Sequence, residues 1–342
     1  MFNLFNKSSL LLSLILIVGL LLTTAGCGAP AEEELGVAFQ PHYYPAVSGI
    51  LSNNQEIDTL DHEITVDYSS YLSGSDMISS MIAQDQTIGY MGDMPGLVAA
   101  DNEQLEGVII AKDVWSPGAT TSILTREGEF DSIKDLDDSD IEVRVNQYSY
   151  SHRFILHVME EEGFKNLSTD NLLDGSPTTM LTQLENGDID AAVVWEPFVS
   201  EILERSREVN DFEAEVLASG QDYQDFEDLS VVVAHPDTLE NNPQAVVAWL
   251  KNHLKMQEII NNQPKRAVEL LSEPHTSYSN WIAKRSLDTF GEVNASLSDR
   301  DMEVLADGTS FLQEQGIISD DFNLEEQVDL SYLEEALNEL EE

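Results

Sequence analysis

The sequence predicts an α/β fold with two lobes, each a mostly parallel sheet flanked by helices, and a ligand cleft between them. One unit occurs twice: a capped helix, a turn, a short apolar strand and a segment that ends at a proline. Short apolar strands that alternate with helices are typical of parallel sheets, because parallel neighbours need a crossover connection. A chain of 342 residues is also longer than one hydrophobic core usually covers, so two lobes are expected.

The first 26 residues have the features of an export signal. Lys7 precedes an apolar run at 10–22 that is shorter than the roughly 20 residues needed to span a bilayer. Small residues at 24–26 then lead to Cys27, the single cysteine of the chain. Because one cysteine cannot form an internal disulfide, we interpret Cys27 as a lipid attachment site. An ordinary cleaved signal with a chance cysteine is the alternative.

The chain is strongly acidic. It has 64 acidic and 16 basic residues, which gives a formal net charge of −48. This charge excludes nucleic acid as a partner, since phosphates would be repelled. A hydrophobic content of 42% indicates a globular fold rather than an acidic disordered chain. We expect a surface adapted to high salt, where repulsion is screened over about 3 Å at 1 M.

The repeated unit places two loops at equivalent positions. In the first copy the pieces are a cap at Ser75 and Asp76, a helix to Ile82, a strand over 87–91 and a loop through Gly92 and Asp93 to Pro95. In the second copy they are a cap at Ser176, a helix ending at Gly187, a strand over 189–194 and a loop through Trp195 and Glu196 to Pro197. Ligands of parallel sheets bind beyond the carboxyl ends of the strands, so both loops are predicted to face the cleft.

The remaining segments complete two lobes. Further strands are predicted at 36–39, 108–111, 122–125 and 230–234, and further helices after Pro243, near Pro264, Tyr278 and Ser298, and at the acidic end. The strands at 122–125 and 230–234 are predicted to cross between the lobes as a hinge pair. The predicted organisation is a signal at 1–26, a linker at 27–35, a first lobe at 36–122 with 230–342, and a second lobe at 123–229.

Four segments carry a resemblance to a known family. They are Tyr71–Asp76, Ile88–Pro95, Ser149–Leu156 and Asp190–Phe198. In this order they resemble the substrate-binding proteins of ABC importers, in the nitrate, taurine and aliphatic-sulfonate group. The resemblance spans roughly Gly36 to Ile318. It implies a periplasmic-binding-protein-like fold of type II that closes on a small ligand and delivers it to a permease and its ATPase. It also implies a monomer held on the extracytoplasmic face of the cell membrane by lipid on Cys27. No cofactor or metal is expected.

The predicted anion site lies at the start of a helix. Ser149 and Ser151 precede an apolar helical stretch, and free N–H groups at a helix start bind anions. Arg153 adds a possible bidentate partner for a sulfonate or carboxylate. The alternatives are that Ser151 only caps the helix, that Arg153 faces solvent, and that His152 is structural.

Aromatic and carboxylate side chains are predicted to complete the ligand site. Asp93 and Glu196 each follow a strand and precede a proline, where a carboxylate can pair with an amine, although Glu196 can instead tie the hinge. Aromatic rings at strand ends can wall a cleft or simply pack between the lobes. The full predicted set is Gln40, His42, Tyr43, Tyr71, Ser73, Gly92, Asp93, Trp115, Asn146, Ser149, Tyr150, Ser151, His152, Arg153, Trp195 and Glu196.

These features favour binding over catalysis. The chain has no G-x-S-x-G nucleophile elbow and no H-E-x-x-H metal motif, and neighbouring Ser151 and His152 are not aimed at one another by sequence adjacency. The expected ligand is a small anion or zwitterion, such as a sulfonate, taurine or nitrate. The alternatives are a binding protein for a heterocycle resembling a thiamine precursor, a dehydratase-like enzyme on the same fold, and a ligand sensor.

Overall fold

The computed structural model describes residues 33–40, 64–71, 73–209, 211–224, 226–272 and 276–341. Within these ranges the strands are β1 Glu33–Phe39, β2 Ile64–Ser70, β3 Ile88–Gly92, β4 Val108–Ser116, β5 Thr121–Arg126, β6 Val143–Val145, β7 Leu172–Asp174, β8 Ala191–Trp195, β9 Ala214–Ser219 and β10 Asp228–Ala234. The helices are α1 Gly74–Ile82, α2 Asp93–Asp101, α3 Tyr150–Glu161, α4 Pro177–Asn186, α5 Phe198–Glu208, α6 Pro236–Asn241, α7 Pro243–Asn262, α8 Pro264–Leu270, α9 Asn280–Leu287, α10 Asp299–Glu314 and α11 Ser331–Glu341.

The strands form two sheets, which confirms the predicted α/β class with helices on the sheets. The first sheet has the order β2-β1-β3-β10-β4, and the second has the order β7-β6-β8-β5-β9. β1 and β3 are parallel, and so are β6, β7 and β8. β10 is antiparallel to β3 and β4, and β5 is antiparallel to β8 and β9. The predicted lobe boundaries stay a prediction. The strands of the first sheet lie within residues 33–116 and 228–234, and those of the second sheet lie within residues 121–219.

Each sheet is buried on both faces by helices, which explains its continuous apolar strands. In the first sheet Tyr90 packs with Trp249 of α7, whereas the next residue, Met91, packs with Leu305 of α10. In the second sheet Ile123 packs with Phe154 of α3. Its neighbour Leu124 packs on the opposite face, with Phe198 of α5.

The second copy of the repeated unit begins and ends where the sequence predicts. Ser176 is the N-cap of α4, Pro177 occupies the first turn and Gly187 ends the helix with a left-handed φ of 73°. The strand is shorter than predicted and begins at Ala191. Proline in the first turn and glycine at the end are the standard signals for a helix, because each fits the backbone at that position.

The first copy differs from the prediction at both ends. Ser73, not Ser75, caps α1, and its hydroxyl accepts a hydrogen bond from the Asp76 N–H. The predicted loop at Asp93 is also wrong, because α2 begins at Asp93 directly after β3 and Pro95 lies in its first turn. A first-turn proline costs little, since its missing N–H would have no partner inside the helix.

β4 is longer than the sequence predicts. The strand continues to Ser116, so Lys112 and Asp113 lie inside it and are 1% exposed. The Lys112 ammonium donates to the Asp301 carboxylate at 2.7 Å, and Asp301 at the start of α10 is equally buried. A buried charge needs such a partner, and this one lies too far along the chain for a sequence pattern to indicate it.

No helix of the described ranges is both long enough and apolar enough to cross a membrane. Cys27 and the predicted signal lie outside these ranges.

Candidate ligand site between the two sheets

Two segments connect the sheets, and we call them the crossing segments: residues 117–120, between β4 and β5, and residues 220–224 with 226–227, between β9 and β10. Their backbones touch at Gly118 and Gly220, because a Cβ built on Gly118 would lie 2.8 Å from the Gly220 carbonyl carbon. The Thr120 hydroxyl donates to the Asp228 carboxylate at 2.5 Å. The crossing segments are therefore joined to each other beside the ends of β3 and β4.

Two buried carboxylates lie at these strand ends. Asp93 follows β3 and is 1% exposed, and Asp228 begins β10 and is 4% exposed. Each uses one oxygen: Asp93 Oδ1 accepts from the Met94 N–H, and Asp228 Oδ2 accepts from Thr120. Neither Asp93 Oδ2 nor Asp228 Oδ1 has a hydrogen-bond partner within the described residues.

Burial changes the acidity of both groups. Burial raises the pKa of Asp93 from 3.8 to about 6, although the positive charge of Arg153 opposes the rise. Burial also raises the pKa of Asp228 to about 7; the Thr120 hydroxyl, the charge of Arg153 and the nearby Ser116 hydroxyl oppose this rise, whereas the charge of Asp93 adds to it. The two carboxylates and Arg153 are therefore close enough to influence one another.

Arg153 comes from the second sheet's helix α3. Its Nη2 donates to the Glu227 carbonyl oxygen at 2.5 Å in a crossing segment. The guanidinium lies 5.1 Å from the Phe226 ring centroid and 5.2 Å from that of Tyr150. Arg153 Nε and Nη1 are buried and have no hydrogen-bond partner among the described residues. The guanidinium thus retains two donors beside the two carboxylates.

A second set of contacts surrounds the Glu227 side chain. The Trp115 Nε1–H donates to the Glu227 carboxylate at 2.9 Å, and Arg300 pairs with the same carboxylate. The Arg300 guanidinium lies over the Trp115 ring, 4.0 Å from its centroid. This arrangement fixes the Trp115 ring and neutralises Glu227, so Glu227 does not add an unpaired charge to the neighbouring pair of aspartates.

The polar side chains in the first turn of α3 form hydrogen bonds with neighbouring residues of the chain. The Ser149 hydroxyl donates to the Asn146 carbonyl at 2.6 Å and lies 2.8 Å from the Ser151 hydroxyl. His152 Nδ1 accepts from the Tyr148 N–H at 3.1 Å. Ser149 is the N-cap of α3 but makes no side-chain capping bond.

Glu196 lies apart from the aspartates. Its carboxylate, 1% exposed, accepts from the Ser200 N–H and the Ser286 hydroxyl and lies 3.6 Å from Arg285 Nε. Burial raises the pKa of Glu196, opposed by these hydrogen bonds and by Arg285. Its partners thus come from α5 and α9, and not from the first turn of α3.

The other predicted residues take several positions. Trp195 packs against the cores of both sheets, with its ring centroid 5.8 Å from that of Phe198. The Tyr71 hydroxyl lies 2.6 Å from that of Ser80. Gln40 is buried just after β1, and Gly92 ends β3. His42, Tyr43 and Cys27 lie outside the described residues. Whether the predicted residues contact a ligand stays a prediction.

The sequence analysis missed Thr120, Glu227, Asp228 and Arg300, which all lie in this region. No sequence signal separates Asp228 from 63 other acidic residues, because its burial depends on strands distant along the chain. Thr120 lies close to the predicted strand at 122–125, and this position is only a weak sequence signal for a site residue. Among the described residues no group of three or more His, Cys, Asp or Glu side chains is arranged to hold a metal ion.

The two mixed sheets, joined by the paired crossing segments with buried charged side chains beside them, define a two-lobed α/β fold. No protein family model matches the chain. The taurine-binding periplasmic protein of Escherichia coli (strain K12) is 24% identical over 263 residues, which cover 74% of this chain and 78% of that protein.

Solved structures show the same fold. The periplasmic aliphatic sulphonate binding protein SsuA from Escherichia coli matches with a TM-score of 0.71 and 16% identity, over 87% of this chain and 92% of that chain. The desulfurization enzyme DSZB matches with a TM-score of 0.68 and 12% identity, over 90% of this chain and 99% of that chain. The predicted resemblance to importer binding proteins is confirmed, and an enzyme shares the fold.

Proposed function

We propose that the chain is the extracytoplasmic solute-binding component of an ABC importer, and that it binds a small organic ligand between its two sheets. The 24% identical relative from Escherichia coli is a taurine-binding periplasmic protein, and a solved structure with the same fold is that of an aliphatic sulphonate binding protein. A ligand that contacts both sheets would favour closure, since it binds the closed form more tightly than the open one. The closed form would then engage the permease and its ATPase.

One observation carries this proposal: four buried polar atoms beside the crossing segments have no hydrogen-bond partner in the part of the chain that the structure describes. They are Arg153 Nε and Nη1, Asp93 Oδ2 and Asp228 Oδ1. A buried polar atom without a hydrogen bond typically costs about 1–3 kcal/mol, so such atoms are retained where something else supplies the bond. A bound ligand that accepts from Arg153 and donates to the aspartates would do so.

The charges favour a zwitterionic ligand. Above about pH 7, where both are ionised, Asp93 and Asp228 outnumber Arg153, and Glu227 is already paired with Arg300. An ammonium group would offset the excess negative charge, while a sulfonate or carboxylate would accept from Arg153. An amino-sulfonate such as taurine combines both groups. A simple anion such as nitrate would instead lie close to two carboxylates without offsetting them. An amine-bearing heterocycle is the alternative ligand class, and it would engage the aspartates alone.

The local hydrogen bonds support binding rather than catalysis. The Ser151 hydroxyl lies 2.8 Å from the Ser149 hydroxyl, and His152 Nδ1 is occupied by the Tyr148 N–H. A nucleophilic serine instead needs a base within hydrogen-bond reach. Ser151 and His152 therefore do not form such a pair in this arrangement.

Calorimetric titration tests the ligand class and the role of Arg153. We expect wild-type protein to bind taurine more tightly than ethanesulfonate, which lacks the amine. Replacing Arg153 by Gln (Arg153→Gln) should weaken taurine binding by about 1.5–3 kcal/mol, the range of a charge-assisted hydrogen bond. Asp93→Asn should weaken taurine but spare ethanesulfonate.

The matched control is Arg266→Gln, which removes an exposed arginine from α8. It should leave taurine affinity unchanged. Equal affinity of the wild type and Arg153→Gln would remove Arg153 from the site. Preference for ethanesulfonate over taurine would contradict the zwitterionic class, and tighter binding of an aminopyrimidine would favour the heterocycle.

We further propose that lipid on Cys27 holds the protein on the extracytoplasmic face of the membrane. The sequence before Cys27 supports this, since an apolar run leads to small residues and then to an otherwise unpaired thiol. In cells fed labelled palmitate, wild-type protein should incorporate label and fractionate with membranes. Cys27→Ser should lose both properties, and label retained by Cys27→Ser would refute lipid attachment at this residue.

A further inference from the structure

A cavity of about 630 Å³ lies beside Glu196, apart from the aspartates and Arg153. Its wall includes Ser122 and Ser219 from the second sheet, Glu196, and Trp281, Lys284 and Arg285 from α9. The volume is within the range of small-molecule sites, which is roughly 300–1,000 Å³.

Thr120 separates this cavity from the aspartates. Its hydroxyl donates to the Asp228 carboxylate, whereas its carbonyl accepts from the Glu196 N–H at 2.8 Å. None of Asp93, Asp228 and Arg153 lines the cavity. The two regions therefore lie on different sides of one crossing segment.

The cavity contains an ion pair without a hydrogen bond. Glu196 Oε2 accepts from Ser200 and Ser286, while Glu196 Oε1 lies 3.6 Å from Arg285 Nε. Arg285 Nε has no hydrogen-bond partner among the described residues. A buried donor beside an open cavity retains the capacity to bind an acceptor from a ligand.

Two cationic side chains lie on this wall, in a chain that has few of them, beside the carboxylates of Glu196 and Asp288. Of 16 basic residues, Lys284 and Arg285 are consecutive on this wall, and Arg207 lies over the Trp281 ring, 4.1 Å from its centroid. Lys284 pairs with Asp288, which also lines the cavity, but both side chains are exposed and such surface pairs contribute little. Lys284 is therefore available to a bound anion.

We propose that this cavity is a second ligand site, which binds a small organic anion, a carboxylate or sulfonate, through Arg285 and Lys284. Ser122, Ser219 and Gln221 also line the cavity and add polar side chains to it. The site is independent of the ligand proposed between the sheets.

Calorimetry with succinate and with ethanesulfonate tests this site in the Arg153→Gln background, where binding between the sheets is weakened. We expect saturable binding of at least one anion at constant ionic strength. Adding Arg285→Gln should lower its affinity at least about tenfold, the loss of one charge-assisted hydrogen bond. Adding Arg266→Gln, the exposed arginine on α8, should change nothing.

Two further results keep the test decisive. Lys284→Gln alters an exposed side chain, so it tests the site without threatening the fold, and it should weaken the same anion. Taurine binding by Arg285→Gln in the otherwise wild-type chain should be retained, which separates this site from the one between the sheets. Absence of saturable binding, or equal affinity with and without Arg285, would overturn the proposal.

Discussion

At the residue scale, the unusual feature is a pair of buried aspartates with near-neutral pKa values. Burial raises the pKa of Asp228 from 3.8 to about 7 and that of Asp93 to about 6, with Arg153 opposing both rises. The folded protein therefore holds protons that the unfolded chain releases between about pH 4 and pH 7. Since the folded state binds more protons there, its free energy of unfolding falls as the pH rises through that range.

Asp228→Asn is expected to remove part of this pH dependence. The amide cannot ionise, and its oxygen can still accept from the Thr120 hydroxyl. Between pH 4.5 and pH 8, the free energy of unfolding should fall further in the wild type than in the variant. The difference should be on the order of a few kcal/mol. Urea unfolding at both pH values measures the difference.

Asp307→Asn is the matched control, since Asp307 is an exposed residue of α10. Its stability should follow that of wild type at both pH values. If Asp228→Asn behaves like this control, Asp228 does not hold a proton in the folded protein near neutral pH.

At the element scale, the two crossing segments depend on glycine. Gly118 has a φ of +76°, and a Cβ there would lie 2.5 Å from the Phe226 carbonyl oxygen and 2.8 Å from the Gly220 carbonyl carbon. The residue therefore serves two requirements, a left-handed backbone and a close approach of two segments. A residue with a side chain could adopt this backbone only at a cost, and its Cβ would force the two segments apart.

Gly118→Ala is expected to destabilise the protein in two ways, through the left-handed backbone conformation and through the close contact of the two segments. The left-handed conformation costs about 1–2 kcal/mol for a non-glycine residue, and overpacking adds roughly 1–3 kcal/mol. Gly128→Ala isolates the first term, because Gly128 has a φ of +73° and no atom lies within 4 Å of its ideal Cβ. Urea denaturation of both variants measures the two losses; equal losses would mean that the segments move apart at negligible cost.

At the scale of the whole molecule, the formal net charge of −48 dominates. The excess negative charges have no positive partners within the protein. They repel one another and so destabilise the compact folded state. Dissolved salt screens it, because the Debye length falls from about 8 Å at 0.15 M to about 3 Å at 1 M.

Thermal unfolding in potassium chloride tests the predicted adaptation to salt. We expect the midpoint to rise from dilute buffer to about 2 M salt. An equal rise in sucrose, which is uncharged and stabilises by exclusion from the protein surface, would assign the effect to something other than screening. Full stability in dilute buffer would refute the adaptation.

Local sequence signals predicted the elements well where caps were explicit. Ser176, Pro177 and Gly187 marked α4, and Ser298 capped α10 as the sequence indicated. β4 was predicted too short because Lys112 reads as a loop residue. Its place in the strand depends on Asp301, 189 residues further along the chain.

The sequence alone determined the class of fold, because apolar periodicity and capping residues act over a few positions. It also indicated Asp93 and Arg153 as residues of interest. Only the tertiary structure decided that Asp228 joins them, that Glu196 faces a separate cavity, and that Thr120 lies between the two. Burial and charge pairing depend on segments brought together from distant parts of the chain, and among 64 acidic residues no local pattern shows which become buried.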